Sequence, residues 1–179
     1  LASGIYYYAI ATTWRGDKYA NETHPARTER MRQFMEKAEE RFRQSLQQVD
    51  KPILSLTYLI YIAKYTGSRQ QARFWLDQAV ALDPHCEYPR MAYMGALEPR
   101  WGGSHSAMRS FAEETAAIGK HPKLSRIVRI LNGRVFWDQG YSRFLRGDYV
   151  EALRLFEQAI AESDWSYFLA TRGRLYQRV

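Results

Sequence analysis

Gly67, Gly102 and Gly147 each head the same pattern. An alanine lies five residues on (Ala72, Ala107, Ala152), and a bulky apolar residue follows four later (Leu76, Phe111, Phe156). A glycine reached by the end of one helix supplies its left-handed cap, and an alanine and a bulky residue four apart share one face of the next helix. The alanines are 35 and 45 residues apart, the length of a helix–turn–helix repeat. This pattern predicts an α-helical solenoid, an architecture whose usual job is to present a binding surface.

The rest of the chain agrees with an all-α class. No stretch keeps strict apolar–polar alternation for long. With 179 residues, 46% of them hydrophobic, the chain is long enough for one sizeable core and too apolar for disorder. The net charge is +7, carried by 20 Arg against 6 Lys, and residues 119–179 alone hold +5. That asymmetry favours an acidic partner, although long Arg side chains also serve as a solvated surface over apolar stems. Cys86 is the only cysteine, so no internal disulfide forms. The longest apolar runs, such as residues 53–63, are too short to cross a bilayer. With no signal peptide visible, a cytoplasmic protein is expected. The start at Leu1 rather than Met leaves a removed leader or a longer parent chain open.

Capping signals divide the chain into hairpins over residues 4–49, 53–83, 88–118 and 124–161, with a terminal helix over 165–177, all in one domain spanning 1–179. Ser3 is expected to cap the first helix, and Thr23 with Pro25 to open the second, which runs to about Val49. Ser68 and Asp148 each stand three residues before Gln71 and Glu151, the spacing of a capping box. Ser104 is expected to cap another helix, and Gly133 to kink the segment between residues 124 and 145.

These residues resemble the tetratricopeptide repeat. In that family a small residue of the first helix meets a small residue of the second, and an aromatic or Leu fills the gap to the next repeat. Gly140 with Ala152, Phe156 and Ala159 matches this arrangement, as does Gly95 with Ala107 and Phe111. Ala72, Leu76, Ala79 and Pro84 match it too, but Ile60 stands where a small residue is usual. Ala38 lies 34 residues before Ala72 and extends the phase upstream. The middle repeat has Glu114 in place of the second Ala, and about eleven residues are inserted before the last. The resemblance covers residues 19–166 and implies an irregular solenoid of stacked antiparallel helical hairpins. The stretch Pro99-Arg100-Trp101-Gly102-Gly103-Ser104, with the aromatic first helix (Tyr7, Tyr8, Trp14, Arg15), is similar to a bacterial family with tetratricopeptide-like helices and no established biochemistry. That similarity implies a bacterial source and no particular activity.

Motifs for chemistry are sparse. His85-Cys86-Glu87 offers adjacent potential ligands, but zinc sites need about four and His24, His105 and His121 are scattered. Ser104-His105-Ser106 is not a nucleophile elbow, and Trp101-Gly102-Gly103-Ser104 lacks the Gly-Lys-Ser/Thr of a phosphate loop. No catalytic residue, metal or cofactor is therefore expected.

The expected function is non-catalytic: a scaffold or adaptor that binds a peptide or protein partner. In the phase of the repeat, first-helix residues line the concave side. Tyr61, Lys64, Arg134, Trp137 and Tyr141 are the expected groove, with Thr57 beside them. Tyr and Arg there would suit an extended peptide bearing carboxylates. On that reading, truncating Arg134 and Trp137 should weaken binding and leave the melt nearly unchanged. Arg100 and Trp101 serve either to pack the inter-helix turn or as a recognition hot spot. The alternative function is binding of a nucleic acid or other polyanion through the basic last third.

Overall fold

The computed structural model describes residues 1–16, 23–163 and Phe168. Among these residues the chain forms eight α-helices and no strand: α1 (Ala2–Arg15), α2 (Pro25–Leu46), α3 (Ile53–Thr66), α4 (Arg69–Leu82), α5 (Tyr88–Ala96), α6 (His105–Ala117), α7 (Pro122–Phe144) and α8 (Tyr149–Glu162). A 3-10 turn occupies Pro99–Trp101. The all-α expectation holds. None of these helices is long and apolar enough to cross a membrane.

The three glycines of the sequence pattern play one backbone role. Gly67, Gly102 and Gly147 are left-handed, with φ of 77°, 81° and 80°. In each case the glycine N–H donates to the carbonyl three residues back (Lys64, Pro99, Phe144), and the next N–H donates to the carbonyl five back (Ala63, Glu98, Arg143). This is the paired hydrogen bonding that satisfies otherwise orphaned carbonyls at a helix end.

Other helix ends differ from the sequence reading. His24 and His121 cap α2 and α7, each accepting through Nδ1 from the N–H two residues on, with Pro at the first helical position. Ser68 and Ser104 do cap α4 and α6. Asp148 makes no side-chain cap bond, α1 begins at Ala2 ahead of Ser3, and α2 ends at Leu46 rather than Val49. The expected helix over 165–177 lies outside the described residues apart from Phe168.

The chain divides into two compact units, Leu1–Ala96 and Leu97–Val179. The helices expected as the 88–118 hairpin, α5 and α6, therefore belong to different units. In the first unit α1 packs on α2, α2 on α3, and α3 on both α4 and α5. Met35, Ala38, Phe42, Leu59, Ile60, Ala72 and Ala79 form its interior. Gly4 lets α1 approach α2 closely, since a Cβ there would lie 2.8 Å from the Phe42 ring.

In the second unit α7 packs against α6 and α8. Helix α7 is one uninterrupted element of 23 residues, so Gly133 is not a kink. A Cβ on Gly133 would fall 2.7 Å from the Phe168 ring and 2.8 Å from the Ala159 carbonyl oxygen. Two turns on, Gly140 is equally crowded by Phe156 and the Ala152 carbonyl. The missing side chains make room for these two rings, and Trp137, Phe156 and Phe168 fill the core between them.

Ala72 and Ala152 are buried as expected, but Ala107 is only half-buried, and a Cβ on Gly95 would meet nothing within 4 Å. Gly95 is thus not a close crossing. Ala152→Leu should cost about 1–3 kcal/mol through overpacking against α7, read as a lowered midpoint in chemical denaturation. An unchanged midpoint would remove Ala152 from the helix crossing.

Candidate functional site

The turn over residues 98–105 is built by local rules and then clamped from outside. Pro99 opens a single 3-10 turn whose end is closed by Gly102. The Glu98 carbonyl accepts from the N–H groups of both Trp101 (2.9 Å) and Gly103 (3.1 Å). Gly103 has a different reason to be glycine: a Cβ there would sit 1.9 Å from the Leu97 carbonyl oxygen. Gly102 supplies the positive φ of this turn, and Gly103 does not.

Both ends of this turn are gripped by α7. The Glu98 carboxylate, 3% exposed as a residue, accepts from Arg134 Nε at 2.9 Å and from a second, closer Arg134 nitrogen. Arg100 Nε lies 3.7 Å from its other oxygen. At the far end His105 Nε2 is 2.7 Å from Asp138 Oδ2. Arg134 and Asp138 are four residues apart and so share one face of α7. A buried carboxylate left without a partner is very unfavourable, so these two contacts fix the turn as well as neutralise it.

Burial raises the Asp138 pKa above the ordinary carboxylate value, and the nearby Glu98 charge adds to the rise. The hydrogen bond from His105, its charge and the Arg134 charge oppose it. A His–Asp pair can orient a base for an adjacent nucleophile. Here, however, the Ser104 hydroxyl caps Ala107 N at 3.1 Å and shares a hydrogen bond with the Ser106 hydroxyl at 2.9 Å. The geometry makes the pair a clamp on the turn.

Arg100 and Trp101 crown this clamp. Arg100 is exposed and Trp101 half-buried, with the guanidinium 5.0 Å from the ring centroid. The residues expected to line a groove are distributed differently. Tyr61 and Lys64 belong to the first unit, and Arg134, Trp137 and Tyr141 to the second. Tyr61 is half-buried beside Tyr8 of α1, and the Lys64 ammonium lies over the rings of Tyr61 and Tyr65. Burial and the surrounding tyrosines push the Tyr8 hydroxyl pKa well up. Thr57 is buried, its hydroxyl donating to the Ile53 carbonyl. Trp137 is 6% exposed and lies within the core, stacked on half-buried Tyr141. Arg134 stacks on Trp137 at 5.0 Å while reaching Glu98. The aromatic spacing on α7 thus marks core packing, with Tyr141 at its edge.

Sequence reasoning missed Glu98 and Asp138. The available signal was an opposite-charge pair, Arg134 and Asp138, at helical spacing within an apolar stretch. It also missed Arg90, which is fully buried and donates to the carbonyls of Cys86 (2.8 Å) and Pro84 (2.9 Å). Burial raises the pKa of the neighbouring Cys86 thiol. No group of three or more His, Cys, Asp or Glu among the described residues is placed to hold a metal ion.

No curated protein sequence and no solved structure matches the chain. A family profile described as a domain of unknown function (DUF4034) matches residues 18–123, more than half of the chain and including the clamped turn. The chain therefore belongs to the DUF4034 family.

Proposed function

We propose that this protein is a non-catalytic helical interaction module, similar in construction to tetratricopeptide-repeat proteins, that binds a peptide or protein partner. The glycine-capped helix ends and the small-residue crossings at Gly4 and Gly140 support the likeness in construction. One observation carries the functional reading. Exposed Arg100 and the Trp101 ring sit on a turn made rigid by the buried Glu98 carboxylate and its Arg134 partner. Arg and Trp dominate interface energetics, and a surface held in place before binding loses less entropy when a partner arrives.

Arg100→Ala and Trp101→Ala should each weaken capture of a partner from a lysate of the source organism by about tenfold, the effect of removing one anchor residue. Their denaturation midpoints should stay close to that of the parent chain. Identical captured proteins for parent and double variant would refute this surface. Capture that falls steeply with salt and disappears on nuclease treatment would instead favour a nucleic acid bound by the basic last third.

A further inference from the structure

An open cleft of about 560 Å³ lies in the second unit, on the side of the clamp where α6 begins and α7 turns into α8. Its wall includes Ser104 and His105 from the start of α6, Arg143 and Arg146 from the end of α7, and Glu151 and Arg154 from α8. Three arginines thus line one cleft. Two have carboxylate partners: Arg143 meets Asp148 at 3.4 Å, and Arg154 forms a two-pronged contact with Glu151 at 2.6 and 2.7 Å. Arg146 makes no ion pair among the described residues, so it is the surplus cation of the set.

We infer that this cleft binds a phosphate monoester. A surplus cation in a cleft raises the local concentration of anions, and guanidinium groups match the geometry of phosphate oxygens. The partnered arginines remain usable, because exposed ion pairs contribute little to stability and exchange readily for a dianion. Ser104 marks the first turn of α6, whose positive end faces the same cleft and adds to the field. The mostly polar lining suits a hydrated headgroup better than an apolar ligand. The phosphate could be carried by a small metabolite or by a phosphorylated side chain. The site shares no side chain with Arg100 or Trp101, so its failure leaves the proposed interaction surface standing, and the reverse also holds.

The test is a titration of the full chain with inorganic phosphate at low ionic strength, followed by ¹H–¹⁵N NMR. Saturable shifts are expected at the amides of residues 104–108 and 143–154. Arg146→Ala should weaken binding by about tenfold, the effect of losing a hydrogen bond to a charged group. Arg129→Ala removes an exposed charge from α7 outside the cleft and should leave affinity unchanged. Shifts that never saturate, an unaffected Arg146→Ala, or equal losses in both variants would overturn the proposal. A phosphoserine peptide binding more tightly than free phosphoserine would identify a protein source. Equal affinities would identify a small molecule, and either result supports the site.

Discussion

Arg134→Ala is expected to destabilise the second unit by about 2–4 kcal/mol, a large share of the stability of a domain this size. The substitution removes the close partner of a carboxylate that is 3% exposed, leaving only Arg100 at 3.7 Å. It also strips the cation stacked on Trp137. This reverses the sequence expectation that Arg134 could be truncated without disturbing the melt. The loss should depend on pH. With Arg134 gone, the Asp138 pKa rises further in the folded chain, because one charge that favours its ionised form is absent. A group whose folded pKa is raised contributes stability at low pH that disappears as pH climbs through that value. The deficit of the variant should therefore be smallest near pH 4 and grow toward neutrality. Urea denaturation of both chains across that range measures it, and a deficit independent of pH would mean that packing rather than charge is lost. Glu98→Gln, which removes the charge and keeps the shape, should recover part of the stability in the Arg134→Ala background.

The comparison of sequence with structure divides along a physical line. Local backbone chemistry was legible: Gly67, Gly102 and Gly147 lie where a helix end needs a left-handed residue, and Ser68 and Ser104 cap as their positions suggest. Packing of small residues was legible only where two helices cross. Gly140 meets Phe156 and Ala152, while Gly95 meets nothing. Long-range pairing was not legible. Glu98 meets Arg134 across 36 residues and His105 meets Asp138 across 33, and no local rule selects those partners. The groove assignment failed for Trp137 for a related reason. A row of aromatic residues at helical spacing marks a face, and the sequence cannot say whether that face meets solvent or Phe156 and Phe168.

Gly103→Ala should destabilise the second unit by about 3 kcal/mol or more, beyond the ordinary range for an added methyl group. The added Cβ would fall 1.9 Å from the Leu97 oxygen and 2.3 Å from its carbon, both backbone atoms. A side chain can rotate away from such a clash, but a carbonyl held in a closed turn cannot. The turn must open, which breaks the 3.1 Å bond from Gly103 N to the Glu98 carbonyl and displaces the Glu98 carboxylate from Arg134. The damage therefore spreads from one methyl group to the buried ion pair. Gly102→Ala provides the contrast. Its Cβ would meet nothing within 4 Å, so the cost is only that of a left-handed φ for an L-residue, about 1–2 kcal/mol. Denaturation of the two variants side by side should rank Gly103→Ala as clearly the more damaging. It should also weaken partner capture through Arg100 and Trp101, which ride on the same turn. The reverse ranking would mean that backbone conformation, and not the close approach of residues 97 and 103, determines the shape of this turn.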